Sequence, residues 1–247
     1  MKISIITAVY NGARDIEMTL RSVADQDYDS IEHIVVDGAS TDSTLDVVRS
    51  NDRRVACVIS ERDDGVYDAF NKGLRATTGD AIGYLNCGDT YVSNEVVSKL
   101  AKELSSAGTN AVFGDLLIVD AADRTRIIRR YSSKDFSPAR MAYGFMPAHP
   151  TLFLRREIYD NIGEYDTRFR IAGDFELCLR AFANRATKYR YLSEPLVCMA
   201  RGGLSNRGWR SKWDITREMK LACAQDGVDT SWLKLCLRFP LKMLELF

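Results

Sequence analysis

Four apolar runs in the first third of the chain each give way to a polar residue able to bind or move charge: Asn11, Asp37, Glu61 and Asp89. A single aspartate behind a strand is ordinarily a turn former or a helix cap. That reading gives no reason for four run ends in succession to carry such groups. In an open α/β sheet, ligands bind beyond the carboxyl ends of the strands, so these residues are placed for a common ligand. The first turn, TAVYNGA, has one glycine rather than the spaced glycines that let a dinucleotide pyrophosphate approach bare backbone. Phosphate charge must then be met another way. Mg²⁺ or Mn²⁺ takes one or two carboxylates and completes its shell with phosphate oxygens and water. Asp89, at the tip of the fourth run, is the best-placed ligand.

The elements that must position these residues follow from periodicity. Ile3 to Val9 is a continuous β-prone apolar run, as expected of a strand covered on both faces. Strands are predicted again at His33 to Val36, Arg54 to Ser60 and Ala81 to Leu85. Helical spacing fills the intervals at Asp15 to Ala24, Leu45 to Arg49 and Val66 to Ala76. This alternation predicts an α/β fold with a Rossmann-like, mostly parallel central sheet flanked by helices. The second half is less regular: a hairpin from Ala111 to Asp120 and Thr125 to Tyr131, a proline-containing loop, a strand at Thr151 to Leu154, and helices from Arg156 and from Asp174 to Ala183.

Composition narrows the function class. The 247 residues suit one large domain or one domain with a small appendage, and 46% hydrophobic residues supply a core. Lys plus Arg and Asp plus Glu both total 34, so overall charge draws the chain to neither nucleic acid nor an anionic surface. The six cysteines form no C-x-x-C pair, and only His33 and His149 could join them on a metal. A zinc site is disfavoured and a reducing, cytoplasmic setting is expected. Met1-Lys2 runs straight into the first strand with no signal-peptide pattern, and no run is long enough to span a bilayer.

The succession SIITAVYN, IVVDGASTDST, SERDDGVYDAFNKGL, TGDAIGYLNCGD and GEYDTRFRIAGDFELCLR resembles the family 2 glycosyltransferases of GT-A fold, over roughly residues 1 to 205. Its third stretch particularly resembles bacterial transferases that build exopolysaccharide or O-antigen units. The resemblance implies an inverting transfer from a UDP-, GDP- or dTDP-sugar to a saccharide or polyprenyl-linked acceptor, with Mg²⁺ or Mn²⁺ as cofactor. It implies a donor half at residues 1–95, an acceptor half at 96–205 and an extension at 206–247. By position, Thr7, Val9 and Tyr10 fall near the base or ribose, and Asp37 matches the family's base-contacting aspartate. Asp63, Asp64, Asp68, Asn71 and Lys72 fall in the segment flanking ribose and diphosphate, although an exposed helical lysine is an equal reading of Lys72. The family's D-x-D metal motif is here Asn86-Cys87-Gly88-Asp89, a departure that keeps only the last carboxylate as metal ligand and leaves Asn86 and Gly88 to the donor. Asp174 takes the place of the family's general base, with Glu176 in reserve. An inverting transfer needs such a carboxylate to accept the hydroxyl proton, and that reading of Asp174 is preferred to the helix N-cap it also fits.

Three further features carry expectations. His149, set between Pro147 and Pro150, is a candidate for contacting acceptor or diphosphate, or else a packed histidine. Arg201 to Ser205, with Gly203 and Ser205, could close over the diphosphate or simply connect elements. From Trp232 onward, Lys234, Arg238 and Lys242 recur every four residues among apolar ones, which suits an amphipathic helix on an anionic membrane, or one packed on protein. A membrane contact would hold the enzyme at the inner face of the cell membrane. Competing functions are a non-catalytic GT-A partner, given Asn86, and a nucleotidyltransferase, which lacks its glycine-rich basic signature here.

Overall fold

A computed structural model describes residues 1–183, 187–201 and 209–244, with side chains at 209–210 and 240–244 left out. The first strand, β1 (Ile3–Val9), lies inside the sheet and pairs in parallel with β2 (Ile31–Asp37) on one side and β4 (Ala81–Tyr84) on the other. β3 (Val55–Ser60) is the edge strand beyond β2, and its alternating half-buried and exposed residues suit an edge. Helices α1 (Ile16–Ala24), α2 (Thr44–Ser50) and α3 (Val66–Ala76) form the crossovers. Ile6 packs under α3, while Ile3 and Ile5 point to the opposite side against Val23 of α1 and Val97 of α4 (Val96–Leu104). Both faces of β1 are therefore covered, which is why its sequence does not alternate. Gly73 lets α3 approach closely: a Cβ there would fall 2.5 Å from Ile6 Cγ2.

The second half of the sheet is mixed. β8 (Phe153–Arg155) joins β4 antiparallel, β6 (Ala111–Val119) follows antiparallel, and β9 (Tyr189–Ala200) runs parallel to β6. β7 (Ile127–Tyr131) hairpins onto β6, and the two-residue β5 (Thr90–Tyr91) closes the far edge on β9. At the seam between the halves, a Cβ on Gly83 would sit 2.4 Å from the Phe153 ring, so the ring fills the space above a bare backbone. α5 (Arg156–Ile162) and α6 (Gly173–Ala183) cover this half, and α7 (Trp209–Gln225) and α8 (Trp232–Leu244) pack beyond α6. The strand expected from Thr151 begins two residues later, because His149–Thr151 forms a 3₁₀ turn seeded by Pro150.

At the amino ends of β1, β2 and β4, Glu32 is enclosed by donors. It accepts Ser4 Oγ at 2.6 Å, Thr78 Oγ1 at 2.8 Å, Gly79 N at 2.9 Å and Lys2 Nζ at 2.6 Å.

Candidate active site

Beyond the carboxyl ends of β1 and β2 lies a cavity of about 810 Å³, lined by Val9, Tyr10, Gly38, Ala39, Asp63 and Gly65 among others. Tyr10 is 66% exposed, so its ring offers a flat face to a base. Asp37 shapes this cavity from behind: its buried carboxylate accepts the Ser40 N–H at 3.1 Å and the Ser60 hydroxyl at 2.7 Å, fixing the turn between them. That turn holds Ala39 at φ 59°, a left-handed conformation costly for any residue with a Cβ. Thr7, expected beside the base, is fully buried inside β1, where its hydroxyl donates to Leu85 O at 2.7 Å and lies 2.8 Å from His33 Nε2.

The acidic segment after β3 folds onto α3. Lys72 meets Asp63 at 2.7 Å, Glu61 at 3.1 Å and Asp68 at 3.3 Å, and donates to Arg62 O at 2.7 Å. Its charge is thus offset by three carboxylates, and its role is to hold the segment rather than to present a bare cation to phosphate. Asp64 is exposed, and its N–H is accepted by Asp68 Oδ2 at 3.1 Å. Asn71 is buried and spends its whole amide on Tyr165, donating to its carbonyl at 2.9 Å and accepting its N–H at 2.8 Å.

The fourth strand end opens into a second cavity of about 390 Å³, lined by Asn86, Gly88, Asp89, Arg14, Arg124 and Arg201 among others. Thr19 fastens the Asn86–Asp89 turn, donating to Asp89 O at 2.9 Å and accepting Gly88 N at 2.9 Å. Gly88 takes φ 88°, which accounts for a glycine in the motif. Asp89 is 4% exposed. Its Oδ2 and Asn86 Oδ1 are both buried without a hydrogen-bond partner. Burial pushes the Asp89 carboxyl up to about 8, against the pull of Arg124 and of a hydrogen bond with the Asn86 side chain. Buried polar atoms without partners are rare and costly, and two hard oxygen acceptors in one turn fit a divalent cation. Among the described residues no group of three His, Cys, Asp or Glu could hold a metal, so such an ion would take its remaining ligands from phosphate and water.

Of these arginines, sequence reasoning singled out Arg201, at the start of its basic segment, and missed Arg14 and Arg124. Arg124 comes from the β6–β7 turn and donates to Gly88 O at 2.6 Å. Arg14 precedes α1, and Arg201 follows β9. Strand-end logic looks only at residues next to the tips of the strands it recognises, and Arg14 and Arg124 reach the cavity from the start of α1 and from the β6–β7 turn. Gly203 and Ser205 lie outside the described residues.

Asp174 sits in the first turn of α6. Its Oδ1 accepts the Phe175 N–H at 2.8 Å and lies 3.4 Å from the Tyr67 hydroxyl. Burial raises its pKa, while His149 pulls the other way. His149 is itself buried, held 2.8 Å from the Tyr165 hydroxyl and stacked on Tyr84 at 5.4 Å, and burial lowers its pKa. Asp174 thus stands by the first turn of α3, whose start lines the larger cavity. Glu176 differs from it: its buried carboxylate is clamped by Arg180 at 2.5 Å and 2.8 Å, and Arg180 also donates to Glu164 O. A carboxylate so engaged braces α6.

The sequence model described as Glycosyl transferase family 2 matches residues 4–168. The PGL/p-HBAD biosynthesis glycosyltransferase of Mycobacterium tuberculosis is 29% identical over 208 residues, which cover 82% of this chain and 78% of that protein. An uncharacterized glycosyltransferase of the same organism is 32% identical over 184 residues, covering 72% of this chain and 68% of that one. Among solved structures, S. aureus TarS 1-349 with UDP-GlcNAc superposes with a TM-score of 0.70 at 19% identity, over 90% of this chain and 66% of that chain. Mannosyltransferase PcManGT from Pyrobaculum calidifontis, with GDP-Man and Mn2+, gives 0.59 at 19% identity, over 100% of this chain and 81% of that one. The shared architecture is the GT-A fold.

Proposed function

Since the chain belongs to glycosyl transferase family 2, we propose that it moves a sugar, with inversion, from a nucleotide-diphosphate donor to the hydroxyl of a saccharide or lipid-linked saccharide. The observation that carries this reading is the pair of partnerless buried oxygens on Asn86 and Asp89, set in a cavity lined by Arg14, Arg124 and Arg201. Residues 1–95 bind the donor; residues 96–205 present the acceptor. Tyr10 and the Asp37 turn receive the nucleoside in the larger cavity, and the three arginines meet the diphosphate. Bound at Asn86 and Asp89, a Mg²⁺ or Mn²⁺ ion would offset charge on the leaving group. Asp174 takes the acceptor's proton as the acceptor oxygen bonds the anomeric carbon and the carbon–phosphate oxygen bond breaks, the electron pair leaving with the diphosphate. Raised by burial, Asp174 is a better base than an exposed aspartate.

Thermal shift with UDP, GDP and dTDP plus Mn²⁺ is expected to single out one nucleotide, since a ligand binding only the folded state raises its melting temperature. Donor hydrolysis in wild type and Asp89→Ala then tests turnover. Nucleotide binding without metal-dependent turnover of any donor would favour the scaffold reading.

The acceptor proposal extends to a membrane surface. No helix among the described residues is long and apolar enough to cross a bilayer. The basic stripe expected on α8 does not face outward as a whole: Arg238 is 4% exposed and donates to Thr216 Oγ1 at 2.7 Å, and Lys234 pairs with Asp229. The outer side of α7 and α8 instead exposes Trp213, Leu221, Trp232, Leu233 and Leu237, with Lys220 over the Trp232 ring. Aromatic and basic groups together suit the interface of an anionic leaflet. Six free cysteines support an inner-face, cytoplasmic position, where thiols stay reduced. Wild type should pellet with phosphatidylglycerol vesicles and the variant Trp213→Glu/Leu233→Glu should not; equal pelleting would remove the membrane from the proposal.

A further inference from the structure

The approach of α7 to the candidate base has no precedent in the sequence motifs. The Glu218 carboxylate accepts three consecutive backbone N–H groups: Arg170 at 3.1 Å, Ile171 at 2.9 Å and Ala172 at 2.8 Å. These donors immediately precede α6, which begins at Gly173. Helix starts are normally satisfied by a neighbouring side chain; here the acceptor comes from 46 residues further along the chain. Successive N–H groups converging on one carboxylate make a compact anion-holding concavity, and bonds to a charged acceptor are stronger than neutral ones.

The same segment is gripped from the other side. Tyr67 of α3 donates to Ile171 O at 2.8 Å and reaches Asp174 Oδ1 at 3.4 Å. A Cβ on Gly173 would fall 2.8 Å from the Tyr67 ring, so the backbone lies directly against it. Residues 170–174 are thus held between α7 and α3, with Asp174 as the last residue of the clamped stretch.

We infer that Glu218 is a positioning residue for Asp174, acting from the C-terminal helices through the three N–H groups it holds. The inference rests on the reading of Asp174 as the base. Release of the grip frays the first turn of α6 and lets the Asp174 carboxylate drift from the incoming hydroxyl. A displacement of about 1 Å is enough to cost on the order of 10²-fold in rate.

The test compares wild type with Glu218→Ala, Glu218→Gln, Asp174→Asn and the Glu218→Ala/Asp174→Asn double variant. Hydrolysis of UDP-GlcNAc and GDP-mannose with Mn²⁺ supplies kcat and KM, and amide hydrogen exchange supplies local order. Glu218→Ala should speed exchange at residues 170–176 while leaving α3 unchanged, and should lower kcat by roughly 10²-fold with donor KM within about twofold. Glu218→Gln keeps one acceptor oxygen for Ile171 and Ala172 and should recover most of kcat. In the Asp174→Asn background, Glu218→Ala should cost nothing further. Unchanged exchange at 170–176, parallel loss of kcat and donor affinity, or an undiminished effect of Glu218→Ala in the Asp174→Asn background would each overturn the inference. Full turnover in Asp174→Asn would instead overturn the base assignment, whatever exchange shows for Glu218.

Discussion

A buried carboxylate lies at each end of the strands β1, β2 and β4, Glu32 at one and Asp89 at the other, and the two are opposites. At the amino ends, Glu32 has donors on both oxygens from Lys2, Ser4, Thr78 and Gly79. Burial alone would raise its pKa, but these bonds outweigh burial and pull it down to about 2. At the carboxyl ends, Asp89 keeps Oδ2 without a partner and burial drives its pKa to about 8. One end is completed by the chain itself, so it stabilises the fold. The other is left incomplete, which destabilises the fold and creates demand for a ligand. The contrast separates stability from chemistry along the same strands.

Variants at the carboxyl ends should therefore cost turnover, and those at the amino ends should cost stability. The largest effect is expected from Asp174→Asn, which should lower transfer by about 10²–10⁴-fold with nucleotide binding kept; equal loss of donor affinity in a thermal-shift titration would assign Asp174 a structural part. Asp89→Ala should cost about 10²–10³-fold in turnover while its melting temperature, measured without metal, stays level or rises, because an unpartnered buried oxygen is removed. A clear fall in melting temperature would erase the contrast between the ends.

Glu32→Gln should leave kcat per folded molecule unchanged and destabilise by about 3 kcal/mol, read from urea unfolding at pH 7. The sign follows from a depressed carboxyl: this stabilisation is complete above its unfolded value of 4.5 and is lost as pH falls toward about 2. His33 sharpens the pH dependence in a separate window. Burial lowers its pKa from 6.5 to about 4, so the unfolded chain takes a proton first and stability drops as pH falls from 6.5 to about 4. Asp89, raised to about 8, contributes the opposite slope over that range, so the measure is the difference between the pH–stability curves of wild type and His33→Gln. Curves of equal slope between pH 4 and 6.5 would contradict the buried, neutral state of His33. The smallest effect is Ala39→Gly, which should stabilise by up to about 1 kcal/mol by relieving the left-handed backbone beside the nucleoside cavity.

The parallel half of the sheet was largely legible in the sequence because its signals are local. Continuous apolar runs ended where the strands end, and α3 spans Val66–Ala76 as its spacing predicts. What escaped depends on distant contacts. β9 was not anticipated, since Pro195 and several charges interrupt it; the pairing with β6 shifts register around Asp115, opposite that proline, which is how the strand tolerates it. Helical spacing put Lys234 and Arg238 on one stripe, but only the packing on Thr216 and Met219 determines that Arg238 turns inward. Position in a motif likewise placed Thr7 and Asn71 near the ligand, without revealing that their polar atoms are committed to Leu85 and Tyr165. Arg124 and Glu218 reach the site from the hairpin and from α7, where no local pattern marks them.

The seam at Gly83 constrains how such enzymes can be recombined. The parallel and mixed halves of the sheet meet where β4 pairs with β8 and the Phe153 ring occupies the place of a side chain at residue 83. A graft that joins a new mixed half to this parallel half must therefore carry both positions as a unit, or pair any larger residue at 83 with a smaller one at 153. Chimeras that cross the seam without doing so would fail by collision in the core before substrate preference could be compared.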